Sequence, residues 1–188
     1  RGRDVFPVVH AYGTNGIITA VELPLARAQP WTDVTAAFPS LPAAAAFALD
    51  VANAPAIVCR AVSTFEAPLP HTYLDADTLM HAPDVKWAAA LADGPSRHVT
   101  IVQCNAPALG AIERLATAHG GQLSRTIRAA DAKRPMDERG WNHTALHALK
   151  RDKSTTYLQS VLEPGRALEL VEMVSAEFDQ SELLQHLE

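Results

Sequence analysis

Two stretches of similar design decide the fold, and the first runs from Trp31 to Thr64: WTDVTAAFPSLPAAAAFALDVANAPAIVCRAVST. Its opening residues, Trp31–Phe38, alternate loosely between apolar and polar side chains, which predicts a β-strand. Ser40 is a favoured N-cap residue, and the alanine-rich run behind it predicts a helix that Pro55 ends. The β-branched residues in Ala56–Thr64 predict a second strand. The stretch therefore predicts a strand–helix–strand unit.

The same order returns in the second stretch, from His98 to Arg128. HVTIVQCN (His98–Asn105) predicts a strand, and the segment that follows has apolar residues at helical spacing, namely Leu109, Ile112, Leu115 and Ala116. Gly120 and Gly121 end that helix, and GQLSRTIR predicts another strand. Two such units predict an α+β fold of the ferredoxin-like type, a duplicated βαβ in which helices cover one face of an antiparallel sheet.

The rest of the chain supplies connections and further elements. Residues 65–94 carry many helix and strand breakers and predict a long connection with one short helix at Val85–Asp93. WNHTALHALK (141–150) predicts a helix, TTYLQSVL (155–162) a strand, and Gly165–Phe178 a last amphipathic helix.

Composition restricts the functional class. The chain has 188 residues, 48% hydrophobic residues and a net charge of −5, values typical of a globular domain and unfavourable for binding nucleic acid. It contains no apolar run near the about 20 residues that span a membrane. Cys59 and Cys104 lie in apolar strands, which favours buried free thiols over the alternative of a disulfide, and the expected compartment is the cytoplasm. Assembly into a homo-oligomer is compatible with this composition.

A glycine turn precedes the first strand. HAYGTNGIITAVELPLA (His10–Ala26) places Gly13 and Gly16 around a Thr-Asn pair, which predicts a tight turn that leads into a strand at Ile17–Leu25. Glycine permits positive φ angles and lets backbone N–H groups approach a phosphate without interference from a Cβ atom. The turn is therefore a candidate ligand contact.

The segment YGTNGIITAVELPL resembles the closing motif of the FAD-binding domain in flavin-linked oxidases and dehydrogenases of the vanillyl-alcohol-oxidase type. That motif is Gly-Thr-x-Gly followed by a short β-branched run, and it leads into the substrate, or cap, domain. Here His10-Ala11-Tyr12 replaces the common Gly-Ser-Glu, and Asn15 replaces a common Leu. The resemblance implies FAD as cofactor and a contact made by seven consecutive residues: Tyr12, Gly13, Thr14, Asn15, Gly16, Ile17 and Ile18.

A second segment, WNHTALHALKRDKSTTYLQ, is similar to the cap region of bacterial glycolate and D-lactate dehydrogenase relatives. The family's earlier glycine-rich loop and its closing Asn-Pro-Gly-Lys do not occur in this sequence. The resemblance thus implies a fragment, with residues 1–28 as the terminal strand segment of an FAD domain and residues 29–188 as an α+β cap domain. The partners it implies are the missing N-terminal FAD domain and a small hydroxy-acid substrate, and the fragment alone is expected to be inactive.

Two residues are candidates for the chemistry. His143 is the candidate base, because a neutral imidazole titrates near neutral pH. Arg60 is the candidate clamp for a substrate carboxylate, although strand alternation equally allows it to lie on the solvent face. His147 follows His143 by one helical turn, so a shared metal ion is an alternative to one histidine facing a pocket. The same helix is flanked by further polar residues, namely Arg139, Asn142 and Lys150.

Other features have simpler interpretations. Glu66 follows a strand, and either caps or pairs locally or takes part in function. Trp31, Trp87 and Trp141 are expected to anchor a core or an interface. Because a ferredoxin-like fold serves many functions, the alternative to a flavin enzyme is a non-catalytic module that binds a small ligand or a partner.

Overall fold

The computed structural model describes residues 6–9, 11–25, 27–67, 69–72, 97–128, 148–149, 152–156, 158–178 and 186–187. Its strands are β1 (Trp31–Phe38), β2 (Cys59–Phe65), β3 (His98–Asn105), β4 (Gln122–Arg128) and the two-residue β5 (His186–Leu187). Its α-helices are α1 (Leu41–Asn53), the single turn α2 (Leu69–Thr72), α3 (Leu109–Ala118) and α4 (Ala167–Glu177). Short 3₁₀ turns at Ala106–Ala108 and Pro164–Arg166 lead into α3 and α4.

The strands form one open antiparallel sheet in the order β4-β1-β3-β2-β5. β1 and β3 occupy the centre and pair along their whole length, from Trp31 opposite Asn105 to Phe38 opposite His98. β2 pairs with the other edge of β3, so strands from the two halves of the chain alternate across the sheet. The predicted α+β class and antiparallel sheet are confirmed.

Helices cover one face of the sheet, called here the apolar face. Its strand residues are buried and apolar: Val34, Ala36 and Phe38 from β1, and Val102 and Cys104 from β3. Phe47 and Val51 of α1 and Ile112 of α3 pack against them in one core cluster. These core residues are two apart in each strand because side chains alternate between the faces, and the buried Thr32 and Thr100 occupy the same face without belonging to the core cluster. α1 also contacts α3 and α4, which completes the helical layer.

Local sequence sets the ends of the helices as expected. The Ser40 side chain caps α1 by accepting a hydrogen bond from the Ala43 N–H at 3.3 Å. After α3, Gly120 adopts a φ of 70°, a left-handed conformation that suits glycine. Gly121 has a different role, because a Cβ atom at that position would overlap the Phe38 ring. Helix α3 thus ends where the chain must pass close to the core.

The opposite face of the sheet is also buried, but it is polar at one end. Asp33 and Thr35 of β1, Ser63 of β2 and Gln103 of β3 alternate with the apolar-face residues and are all buried. At the other end of this face lie apolar residues, namely Ala37, Phe65 and Val99. We call this surface the polar face.

Two predicted strands are wrong. No strand forms at residues 17–25. The described positions of the second segment, Thr155, Thr156 and 158–162, form no strand either. Both segments have strand-like composition, but a strand requires a hydrogen-bonded neighbour, which composition alone does not supply. The strand predicted from Ala56 begins instead at Cys59.

Other predicted elements fall where the structure describes little or nothing. Of the predicted helix at 141–150, only residues 148–149 are described, and they are helical. The helix predicted at Val85–Asp93 lies outside the described residues. Within the part of the chain that the structure describes, no helix has the length and apolar character needed to cross a membrane.

Candidate functional site

The glycine turn predicted near the N-terminal end of the sequence is present at residues 11–16. The Thr14 N–H donates to the Ala11 carbonyl at 2.9 Å, and the Thr14 hydroxyl donates to the same oxygen at 2.6 Å. The Asn15 side-chain amide donates to the Pro7 carbonyl at 2.6 Å. Gly13 and Gly16 have positive φ angles of 78° and 146°, one of the two reasons for glycine that the turn sequence allowed. These bonds shape the turn from its own residues.

The turn lies at the surface. No atom lies within 4 Å of the position that a Cβ would take at Gly13 or Gly16, so glycine is required there by φ rather than by crowding. Tyr12 also has a positive φ, 49°, and its side chain is 93% exposed. A non-glycine residue in this region is uncommon and is a reason to look for function. The seven residues predicted to contact a cofactor therefore form one continuous exposed segment.

The chain that follows the turn exposes large apolar side chains. Ile17 and Leu25 are each 91% exposed, and three others between them are more than half exposed: Ile18, Val21 and Leu23. Single exposed apolar residues are ordinary, but a contiguous series is typical of an interface. Residues 17–25 are therefore a candidate contact with another protein surface.

Arg60 lies at the start of β2, where the strand is irregular. The register shifts between Cys59 and Ala61, so an extra residue stands opposite β3 at this point. Bulges of this kind redirect a side chain, and Arg60 reaches Gln103 of the polar face. Its Nη1 donates to Gln103 Oε1 at 3.0 Å. The Arg60 side chain is exposed to solvent, as one of the two predicted orientations has it, and its guanidinium also contacts the buried Gln103.

Gln103 continues the chain of hydrogen bonds to a buried acid. Its Nε2 donates to Asp33 Oδ1 at 2.7 Å, and Gln103 and Asp33 are each only 1% exposed. A guanidinium can only donate and a carboxylate accepts, so the amide satisfies both only with its oxygen toward Arg60. The three residues form a polar row across three adjacent strands, with its charged ends at Asp33 and Arg60.

Asn105 adds an acceptor at the same end of the sheet. Among the described residues, its side-chain oxygen Oδ1 is a buried polar atom without a hydrogen-bond partner. Asn105 follows Gln103 by two positions in β3, so it shares the polar face. An unpaired buried acceptor costs about 1–3 kcal/mol, which favours a ligand or water that donates to it.

Glu66 and His98 lie at the opposite end of the sheet. Phe65 pairs with Val99 there, whereas Cys59 pairs with Cys104 at the end that carries Arg60. Glu66 is buried rather than solvated, and the His98 Nδ1 accepts a hydrogen bond from the Ala67 N–H at 3.1 Å. Burial lowers the pKa of His98, which keeps the ring neutral. The structure does not bring Glu66 to the Arg60 row.

The two cysteines pair across β2 and β3 and are free thiols, as predicted. Cys104 is fully buried and Cys59 partly so. Burial is the main cause that raises the pKa of both thiols, and that of Cys104 reaches about 11. A thiol with such a pKa stays protonated at neutral pH, so neither cysteine is suited to be a nucleophile.

Several predicted residues lie outside the described part of the chain, namely His143, His147, Arg139, Asn142, Lys150, Trp87 and Trp141. The role of His143 as a base and the His143–His147 pair therefore stay predictions. Among the described residues, no group of three or more His, Cys, Asp or Glu side chains is arranged to hold a metal ion.

The sequence analysis missed Asp33, Gln103 and Asn105. One signal was present: Asp33 and Thr35, and likewise Gln103 and Asn105, are polar residues two apart in their strands. That spacing indicates one polar face within each strand. Comparison with protein-family models and with curated proteins finds no match to the chain.

Proposed function

We propose that this chain belongs to an FAD-dependent oxidoreductase that oxidises a small 2-hydroxy acid. Residues 1–28 would be the end of the flavin domain, and residues 29–188 the cap domain that holds the substrate. The observation that carries the proposal is the exposed glycine turn, with its positive φ angles and the apolar segment behind it. The resemblance of this segment to the closing motif of a flavin domain gives the turn its proposed ligand.

The sheet supports the proposed cap domain. The strands of the two strand–helix–strand units stand in the order β4-β1-β3-β2, with the long helices of both units on one face. This is the order expected of a ferredoxin-like domain, in which each βαβ unit is split by a strand of the other. Fold alone does not assign a function, so the proposal depends on the turn and on the polar face.

The residues at the front fit a dinucleotide. Open space surrounds Gly13 and Gly16, and the absence of a Cβ lets a phosphate or ring system approach the backbone closely. The exposed side chains of Tyr12, Ile17 and Ile18 offer apolar and aromatic surface beside it. When bound, the flavin would supply the redox chemistry by accepting a hydride, while the protein binds and orients the substrate.

The polar face fits a hydroxy acid. Arg60 would bind the substrate carboxylate, because a guanidinium matches the geometry of that group. The buried Asn105 Oδ1 would accept a hydrogen bond from the substrate hydroxyl. His143 remains the proposed base that removes the hydroxyl proton. These roles use the two ends of a 2-hydroxy acid, its carboxylate and its alcohol.

The test is to purify the product of the gene's full open reading frame and record its visible flavin spectrum and flavin content. We expect a yellow protein whose flavin is lost in Gly16→Ala, because alanine disfavours a φ of 146°. Gly120→Ala is the matched control, since it also has a positive φ and open surroundings but lies at the end of α3. Its flavin content should equal that of the wild type.

Two results would contradict the proposal. One is a full-length protein without flavin after reconstitution with FAD, and the other is equal flavin loss in both glycine variants. A flavin-free protein that still binds carboxylates through Arg60 would instead support the alternative of a non-catalytic ligand-binding module.

A further inference from the structure

The two cysteines stand directly opposite each other in neighbouring strands. Cys59 is the first residue of β2 and is the Cα partner of Cys104 in β3. Cys104 belongs to the core cluster and Cys59 packs against that cluster, so both side chains lie on the apolar face. Both are free thiols. The strand register therefore brings together two sulfur atoms that are far apart in the chain.

A hydrogen bond beside the pair defines its geometry. The Asn105 N–H donates to the Val58 carbonyl at 3.0 Å, one position beyond the two cysteines. In an antiparallel sheet such a bond flanks a non-hydrogen-bonded pair, whose Cα atoms are about 4.5 Å apart and whose side chains are close together. That separation lies at the lower end of the about 4.4–6.8 Å that disulfides span. The backbone at this position is therefore compatible with a disulfide.

We propose that Cys59 and Cys104 form a site of reversible oxidation, at which a low-molecular-weight disulfide converts the two thiols into one cross-strand disulfide. The Cys59 thiolate attacks one sulfur of the reagent, which forms a mixed disulfide and releases one small thiolate. The Cys104 thiolate then attacks the Cys59 sulfur and releases the second small thiolate. The released thiolates take up the two protons that the cysteines lose. Two protein thiols are thus oxidised, and one reagent disulfide is reduced to two thiols.

The difference in burial between the two cysteines sets the order of these steps. Cys59 is partly exposed and can meet the reagent, whereas Cys104 is fully buried and can reach only Cys59. Burial, and after it the charge of the nearby Cys59, raise the pKa of Cys104 to about 11. Few thiolates are present at neutral pH, so the pair reacts slowly and once per protein molecule, unlike a catalytic nucleophile.

Oxidation should stabilise the sheet and should be easy to reverse. The disulfide would close a loop that contains all of the chain between Cys59 and Cys104, and such closure reduces the conformational freedom of the unfolded state. Facing Cβ atoms in a sheet are about 4.5–5.5 Å apart, more than the about 3.8 Å typical of a disulfide. The bond must pull the two strands together, and strained disulfides are the ones that are readily reduced.

The experiment treats the native full-length protein with hydroxyethyl disulfide, a small uncharged reagent, at mildly alkaline pH. The remaining thiols are blocked with iodoacetamide, and trypsin then places Cys59 in the peptide 28–60 and Cys104 in the peptide 98–114. We expect mass spectrometry to find these two peptides joined, and separate again after treatment with dithiothreitol. The melting temperature should rise by about 5 °C or more on oxidation and return on reduction.

Two single variants test the order of the steps. Cys104→Ala keeps the partly exposed thiol and removes its partner, so Cys59 should retain the hydroxyethyl adduct and the melting temperature should not rise. Cys59→Ala is the matched control, because the buried Cys104 should then remain unmodified in the folded protein. Modification of Cys104 in this variant as fast as that of Cys59 in the other would overturn the proposal.

The wild type alone can also overturn the proposal, even if a variant does not fold. Separate adducts on the two cysteines, absence of any reaction, or joined peptides that form only after unfolding in urea would each do so. A joined protein that melts no higher than the reduced one would have the same meaning, because the native register would then not accommodate the bond. None of these outcomes depends on a bound flavin.

Discussion

The two faces of the sheet are built by neighbouring residues of the same strands, yet they differ in chemistry. Val34 and Val102 face the helices, while the adjacent Asp33 and Gln103 face the other way, and all four are 0–1% exposed. Buried ionic and polar groups are often replaceable by apolar residues without loss of stability. Burial of apolar side chains therefore accounts for the apolar face, whereas the polar face is stable only while its buried groups keep their hydrogen bonds.

The polar face is also divided along its length. Polar residues gather at the end that carries Arg60, whereas Ala37, Phe65 and Val99 make the other end apolar. The apolar face therefore supplies the hydrophobic core, and the end of the polar face near Arg60 carries the residues of the proposed substrate site.

The largest loss of stability should come from Phe38→Ala on the apolar face. Phe38 is fully buried and packs on Phe47 with ring centroids 4.9 Å apart, so truncation leaves a cavity in the core. We expect the free energy of unfolding to fall by about 3–5 kcal/mol, measured by urea denaturation. The control is Phe178→Ala, an exposed position that should cost less than about 1 kcal/mol. Equal costs would mean that the helices do not form the main core.

A smaller effect is expected on the polar face from Gln103→Leu. It removes the hydrogen bonds to Arg60 and to the buried Asp33, and should cost about 1–3 kcal/mol. The same change made in an Asp33→Asn background should lower the free energy of unfolding by less. In that background, the loss of the Gln103 donor no longer leaves a buried carboxylate without it. Chemical denaturation of the four proteins of this double-mutant cycle measures the difference. Strict additivity would show that the two side chains are not coupled.

The smallest effect is a pH dependence from His98, whose position in β3 belongs to the apolar side. Burial lowers its folded pKa, so between the folded and unfolded pKa values the unfolded chain binds more protons. The contribution of His98 is therefore complete above the unfolded pKa of about 6.5 and is lost as pH falls through that value toward the folded pKa. Protonation also removes the acceptor for the Ala67 N–H.

Melting temperatures at pH values from about 7.5 to about 5 test this expectation, since histidine titrates in that range. The control His98→Asn retains a side-chain acceptor that does not titrate. Its melting temperature should fall less than that of the wild type on acidification. Parallel curves for the two proteins would assign the pH dependence to other groups.

The sequence was sufficient to predict β1, β3 and α1, because each has its own local signal. Loose alternation marks β1, β-branched residues mark β3, and Ser40 marks the start of the helix. Residues 17–25 have the same kind of signal but no paired neighbour among the described residues, so the prediction of a strand failed there. Local pattern predicts which segments favour a strand, while pairing depends on the rest of the molecule.

The site was less predictable than the fold. Arg60 and Gln103 are 43 positions apart in the chain, and Gln103 and Asp33 are 70 apart. Their contact depends on the register of three strands and on the bulge next to Arg60. The positive φ of both turn glycines was predictable because glycine next to Thr-Asn is a local turn signal.

The strand order has a consequence for how the protein can be assembled. β1 and β2 belong to the first half of the chain, yet β3 from the second half lies between them. Neither half can therefore hydrogen-bond its own strands into the central sheet, and both must be present before the sheet closes. Severing the backbone between Thr72 and Arg97 should yield two pieces that are unfolded when separate and that regain structure as a non-covalent complex when mixed.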